Sequence, residues 1–153
     1  MKILMVCLGN ICRSPIAEGI LRHKIRDMKN KIVITDSAGT SDFHIGEAPD
    51  ARMRKTAQKN GVDISDLRGR QFITSDFDAF DLIYAMDQSN LKNILRLARN
   101  ENDRKKVKLI LDEIYPNEGR EVPDPYYGGD EGFQHVFDLL DEATDKIIEK
   151  YID

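Results

Sequence analysis

The chain of 153 residues has no tryptophan, only two cysteines and only five prolines. Cys7 and Cys12, five positions apart, cannot build a disulfide framework. With no Cys-x2-Cys pair and no Cys/His cluster, the sequence offers nothing to hold a structural zinc ion. No run of eighteen apolar residues is present to span a membrane, and no basic-plus-apolar leader opens the chain. A strong positive charge is missing too: the net charge of −4 argues against bulk nucleic-acid binding. No Gly-Lys-Ser/Thr closes a glycine-rich loop, so the Walker-type phosphate loop is absent. Internal repeats, linkers and low-complexity tracts are lacking. These absences leave a cytoplasmic, metal-free chain expected to form one domain over residues 1–153, long enough to bury a core without staples.

What is present is a regular alternation. Apolar or β-branched runs at 2–6, 32–36, 81–86 and 107–111 predict strands. Helical periodicity predicts helices over 15–28, from 49 or 50 to about 60, and over 89–97. Phe133, Val136, Phe137, Leu140, Ala143 and Ile147 repeat at helical spacing near the end. The stretch 61–76 reads as irregular. Such alternation predicts an α/β fold, a three-layer doubly wound domain around a four-stranded parallel sheet with ligand at the carboxyl ends of the strands. Charge is uneven: residues 112–153 carry thirteen acids and three bases, which leaves residues 1–111 at +6. Solvated faces explain this more simply than a basic rim around an anion site. His23, His44 and His135 are scattered and read as surface or packing residues.

The segment at the end of the first strand carries the chemistry. Ile3 to Val6 deliver Cys7 into a tight turn containing Gly9 and Asn10, which ends at Arg13 and Ser14 before Pro15 opens a helix. The amides of such a loop, spanning Leu8, Gly9, Asn10, Ile11 and Cys12, form a nest for a tetrahedral dianion at a helix N-terminus. The same positive field favours a thiolate at Cys7, the form that attacks. Arg13 offers a rigid fork for two anion oxygens. Ser14 is placed to hydrogen-bond the sulfur and favour its departure. Cys12, in the same loop, is placed to form a reversible disulfide with an oxidised Cys7.

The run Val6-Cys-Leu-Gly-Asn-Ile-Cys-Arg-Ser-Pro15 resembles the phosphate-binding loop of the low-molecular-weight protein tyrosine phosphatases. The likeness continues in the family's order through Asp36-Ser-Ala-Gly-Thr40, Gly46-Glu-Ala-Pro49-Asp50, Arg70-Gln71, Ala85-Met-Asp-Gln-Ser-Asn90 and Val122-Pro-Asp124-Pro-Tyr-Tyr127-Gly. Where many members carry a histidine before the Arg-Gln pair, this chain reads Asp66-Leu67-Arg68. The resemblance implies a phosphotyrosine phosphatase with Cys7 as nucleophile, Arg13 as phosphate clamp and Asp124 as general acid and base. It also implies that Asn10 and Ser37 support the loop through a hydrogen bond. Phe43, Tyr126 and Tyr127, with Ile11, would line the slot for a phenyl ring. Ile11 stands where a phosphoarginine-specific branch carries threonine. No cofactor or metal is implied. The expected partners are phosphotyrosine proteins, with a tyrosine kinase acting on the acid-loop tyrosines, and a monomer is the default.

Two other readings compete. A thiol-dependent arsenate reductase needs two further cysteines in mid-chain, and none follows Cys12. A catalytically idle phosphate-binding module predicts loss of the cysteine or the acid, and both are present.

Overall fold

The computed structural model describes residues 1–28, 31–126 and 128–152. Ile3, Leu4, Met5 and Val6 make a run with no polar interruption, the pattern of a strand covered on both faces. All four are fully buried in β1 (Lys2–Cys7). Strand β1 pairs in parallel with β2 (Ile34–Gly39) on one side and with β3 (Leu82–Ala85) on the other, and β4 (Val107–Leu109) joins β3. The order is β2-β1-β3-β4, so this is the expected four-stranded parallel α/β sheet. The chain leaves β1 toward one edge and later returns along its other side. The carboxyl end of β1 is therefore where the strand order reverses, and Cys7 sits there.

Alternate side chains of the strands serve two cores. Ile3, Met5, Leu82 and Tyr84 face one layer, packed under α1 (Arg13–Ile25), α2 (Ala51–Lys59) and α6 (Asp130–Ile147). Leu4, Val6, Ile83 and Ala85 face the other, where Phe72 meets Phe77 of α3 (Asp76–Ala79) edge to face at 5.2 Å and Ile94 of α4 (Gln88–Arg96) closes the layer.

Several boundaries differ from the sequence reading. Strand β2 starts at Ile34 and runs on through polar Thr35, Asp36 and Ser37, because pairing with β1 continues to the Cys7–Gly39 register. Ile32 lies outside the strand and is exposed. Strand β4 ends at Leu109. Ile110 and Leu111 then enter a 3₁₀ turn (Ile110–Glu113), where their burial serves the core rather than the sheet. Helix α1 begins at Arg13, with Pro15 in its first turn where no intrahelical N–H is required, and it ends at Ile25 rather than 28. Helix α3 and the polar α5 (Glu101–Lys105) carry no helical periodicity in the sequence. Helix α5 has no apolar stripe and is set by its Asn100 cap, which accepts from the Asp103 amide at 2.9 Å. After α6 the chain widens into a π turn (Ile148–Ile152) that buries Ile152. Among the described residues no helix is long and apolar enough to cross a membrane.

Candidate active site

The loop between β1 and α1 is held by its own side chains. Asn10 has φ 57°, the left-handed region that an asparagine tolerates. Its side chain fixes that turn: Nδ2 donates to Ser14 Oγ at 2.8 Å, and Oδ1 accepts from the Arg70 amide at 3.0 Å. With Asn10 on one lone pair of its oxygen, the Ser14 hydroxyl lies 2.9 Å from Cys7 Sγ and 3.4 Å from the Ala38 carbonyl, and it donates to the sulfur when Cys7 is a thiolate, which can only accept. The Asn10 amide also reaches that sulfur at 3.3 Å. Two donors thus converge on Cys7, which lies at the N-terminal end of a thirteen-residue helix. Gly39 backs the loop. A Cβ there would meet the Leu8 carbonyl oxygen at 2.8 Å and the Asn10 nitrogen at 3.2 Å.

Arg13 is 3 % exposed and its charge is matched. Nη1 donates to Asp87 Oδ2 at 2.8 Å and to the Val122 carbonyl at 3.0 Å, while Nη2 lies 3.8 Å from Asp124 Oδ2. Burial opposes the guanidinium charge. The neighbouring Cys7, Asp87 and Asp124 outweigh it and hold Arg13 above its ordinary value. Val122 is buried, and its amide donates to the Met86 carbonyl at the end of β3, which anchors the Pro-flanked loop beside the fork. Asp124 is half-exposed at the lip, and its Oδ1 accepts from the Tyr126 amide at 3.0 Å.

Cys7, Arg13 and Asp124 line one cleft of about 290 Å³. Buried Cys7 and Arg13 form its floor, and exposed Leu8, Phe43 and Tyr126 its rim. Gly9, Ile11 and Cys12 line it as well. Both cysteines are free, and burial, before the nearby Asp50 and Cys7 charges, pushes the Cys12 thiol up. Tyr127 lies outside the described residues.

Ser37 departs from expectation. Its hydroxyl donates to Glu18 Oε1 in α1 at 2.7 Å and not to the phosphate loop. Burial pushes that Glu18 carboxyl up to about 7.

Sequence reasoning missed four neighbours. Asp87 lay inside a quoted motif, but as the first residue after a strand it reads only as a helix cap, which it also is: Oδ1 accepts from the Asn90 amide at 2.8 Å. Glu18 gave no signal. Arg70 is joined to both Asp36 and Asp76, and its amide fixes Asn10. His44, read as a surface or packing residue, lines the cleft with Nδ1 2.7 Å from Glu47 Oε2 and its ring against Gly9. Among the described residues no group of three His, Cys, Asp or Glu side chains is arranged to hold a metal.

A sulfur with two donors, a matched guanidinium fork and a carboxyl at the lip suit attack on a tetrahedral anion, with proton transfer to the departing group. Comparison with known proteins agrees. The family model described as low molecular weight phosphotyrosine protein phosphatase matches residues 2–152. A low molecular weight phosphotyrosine protein phosphatase of Schizosaccharomyces pombe is 43% identical over 134 residues, 86% of this chain and 85% of that one. A solved protein tyrosine phosphatase from Entamoeba histolytica superposes with a TM-score of 0.90 at 42% identity, covering 98% of this chain and 96% of that one. A Drosophila arginine phosphatase superposes with a TM-score of 0.91 at 32% identity, covering all of this chain and 99% of that one. With its loop, fork and acid in one cleft and its length matched almost throughout, the chain belongs to the low molecular weight phosphotyrosine protein phosphatase family.

Proposed function

We propose that the chain hydrolyses phosphotyrosine in proteins through a phosphocysteine at Cys7. In the first step Cys7 Sγ attacks phosphorus, an S–P bond forms, and the P–O bond to the phenol breaks. Asp124 gives its proton to the phenolate oxygen as it leaves. In the second step water attacks phosphorus, its proton passes to the Asp124 carboxylate, and the S–P electron pair returns to sulfur. The Ser14 hydroxyl and the Asn10 amide stabilise the thiolate that departs. Arg13, locked by Asp87 and Val122, binds two phosphoryl oxygens through both steps. The observation that carries the reading is the cleft in which Asp124 lies 3.8 Å from the guanidinium that shares its floor with Cys7. Sulfur and guanidinium supply the nucleophile and the charge, so turnover of para-nitrophenyl phosphate should persist in a chelator.

The rim supports an aromatic substrate. Ile11, Phe43 and Tyr126 present apolar surface at the entrance, and none offers a charge to meet a guanidinium. A phosphoarginine substrate, suggested by the Drosophila relative, is the second reading. Matched peptides decide between them: kcat/KM should favour phosphotyrosine over phosphoarginine, phosphoserine and phosphothreonine, and Ile11→Thr should narrow the gap to phosphoarginine. Wild-type preference for phosphoarginine would overturn the substrate assignment. For the chemistry, Cys7→Ser should abolish turnover while phosphate-ester binding remains. Asp124→Ala should slow phosphotyrosine hydrolysis by about two to four powers of ten, and less for esters of acidic phenols. Full activity of Cys7→Ser refutes the mechanism.

On this reading the enzyme is a cytoplasmic monomer, and a tyrosine kinase is its partner through the acid-loop tyrosines. Cys12 serves as the resolving thiol. Peroxide oxidises the Cys7 thiolate to a sulfenic acid, and Cys12 condenses with it, releasing water and closing a disulfide that a dithiol reopens.

A further inference from the structure

The cleft is lined by three distant stretches: the phosphate loop, residues 41–44 and the acid loop around residue 124. One side chain at the start of α2, outside the cleft, links the acid loop to the phosphate loop. Arg52, in the first turn of α2, donates from Nε to Asp50 Oδ1 and from Nη2 to Asp50 Oδ2, at 3.2 Å each. Asp50 is itself attached to the phosphate loop, its amide donating to the Ile11 carbonyl at 2.7 Å. Arg52 Nη2 also donates to the Tyr126 carbonyl at 2.9 Å. The guanidinium carbon lies 4.7 Å from the centre of the Phe133 ring at the start of α6 and 5.5 Å from that of Tyr126. Tyr126 in turn gives its amide to Asp124 Oδ1 at 3.0 Å.

An ion pair at an arginine that is 41% exposed contributes little to stability, so the Asp50 contact alone does not explain this arrangement. The connection it makes does. Pro123 and Pro125 stiffen the acid loop internally, but they do not by themselves fix the direction of the Asp124 carboxyl relative to the phosphate loop. We propose that Arg52 is a positioning residue for the general acid, fastening Tyr126 so that the Tyr126 amide aims the Asp124 carboxyl over the Cys7 loop. Only a planar fork can meet a carboxylate and a backbone carbonyl along its edge while its face lies on a ring. Displacement of a catalytic group by about an ångström lowers the rate steeply. The proposal rests on Asp124 being the general acid.

The test measures steady-state kinetics of Arg52→Ala and Arg52→Lys on aryl phosphates of graded leaving-group acidity, in wild-type and Asp124→Ala backgrounds. Arg52→Ala should lower kcat for phosphotyrosine about tenfold, with KM changed by less than about twofold. The loss should shrink for acidic phenols and disappear in the Asp124→Ala background, where no acid remains to be aimed. Arg52→Lys keeps the cation and one donor but loses the fork, so it should fall between wild type and Arg52→Ala; it carries the test if the alanine variant does not fold. A loss uniform across leaving groups, or one that multiplies the Asp124→Ala loss, overturns the proposal. If Asp124→Ala alone shows no leaving-group dependence, the acid assignment itself falls and the proposal falls with it.

Discussion

Arg13 and Glu18 lie five residues apart in α1, both buried, and the fold treats their charges differently. Arg13 meets Asp87, the Val122 carbonyl and the approach of Asp124, so it stays charged. Glu18 has the Ser37 hydroxyl on one oxygen, and burial outweighs that bond and raises its carboxyl to about 7. A carboxyl with a raised folded value is stabilising in its protonated form. Its contribution is fully present below the ordinary value of 4.5 and is lost as pH rises through about 7. Glu18→Gln, which cannot ionise, should therefore be the more stable protein at pH 8, by on the order of 2 kcal/mol, and equal to wild type near pH 4.5. Urea unfolding at the two pH values measures this; a less stable glutamine variant at pH 8 would mean that the ionised carboxylate is needed. None of it was legible in the sequence, where Glu18 between Ala17 and Gly19 resembles any solvent-facing helix position. Cys7, Asn10, Arg13 and Ser14 were legible because their chemistry is packed into eight consecutive residues. Arg13's partners were not, since Asp87 and Val122 are 74 and 109 positions away.

At the scale of elements, the sequence showed which segments pair but not where each pairing stops. The apolar run of β1 announced a central strand, whereas β2 is held by its neighbour through residues with no strand preference of their own. The end of that pairing is functional. Gly39 sits opposite Cys7 in register, and its amide and carbonyl pair with Arg70 and Phe72, closing a frame behind the phosphate loop. A methyl group there would press on backbone atoms of Leu8, Gly9 and Asn10, which have no rotamer to change. Gly39→Ala should cost about 1–3 kcal/mol and lower kcat by displacing the loop. A thermal melt with para-nitrophenyl phosphate kinetics checks both; a stable, fully active variant would show that the loop can shift without loss. His44 and Arg52 belong to this scale as well. Each is ordinary in sequence and acquires its place only on folding, His44 at the cleft beside Gly9 and Arg52 between Asp50, Tyr126 and Phe133.

Across the whole molecule, part of the charge imbalance between the two parts of the sequence is paired by the fold. Lys24 of α1 pairs with Asp141 and Asp145 of α6 at 2.8 Å each, Lys108 approaches Glu113 at 3.5 Å, and Arg13 faces Asp124. Four acids late in the chain thus meet bases made early. The position of Cys7 has a consequence for how the enzyme dies. The nucleophile ends the strand gripped on both sides, and its loop is tied to β2, to β3 through Val122 and Met86, and to Arg70. No fraying edge carries it. Heat should therefore remove activity and structure together, with the midpoint of thermal inactivation on para-nitrophenyl phosphate overlying the far-ultraviolet melt. Inactivation well below the melt would reveal a separately labile loop. If the two coincide, residual turnover in a heated, fully reduced sample is a direct head-count of intact molecules.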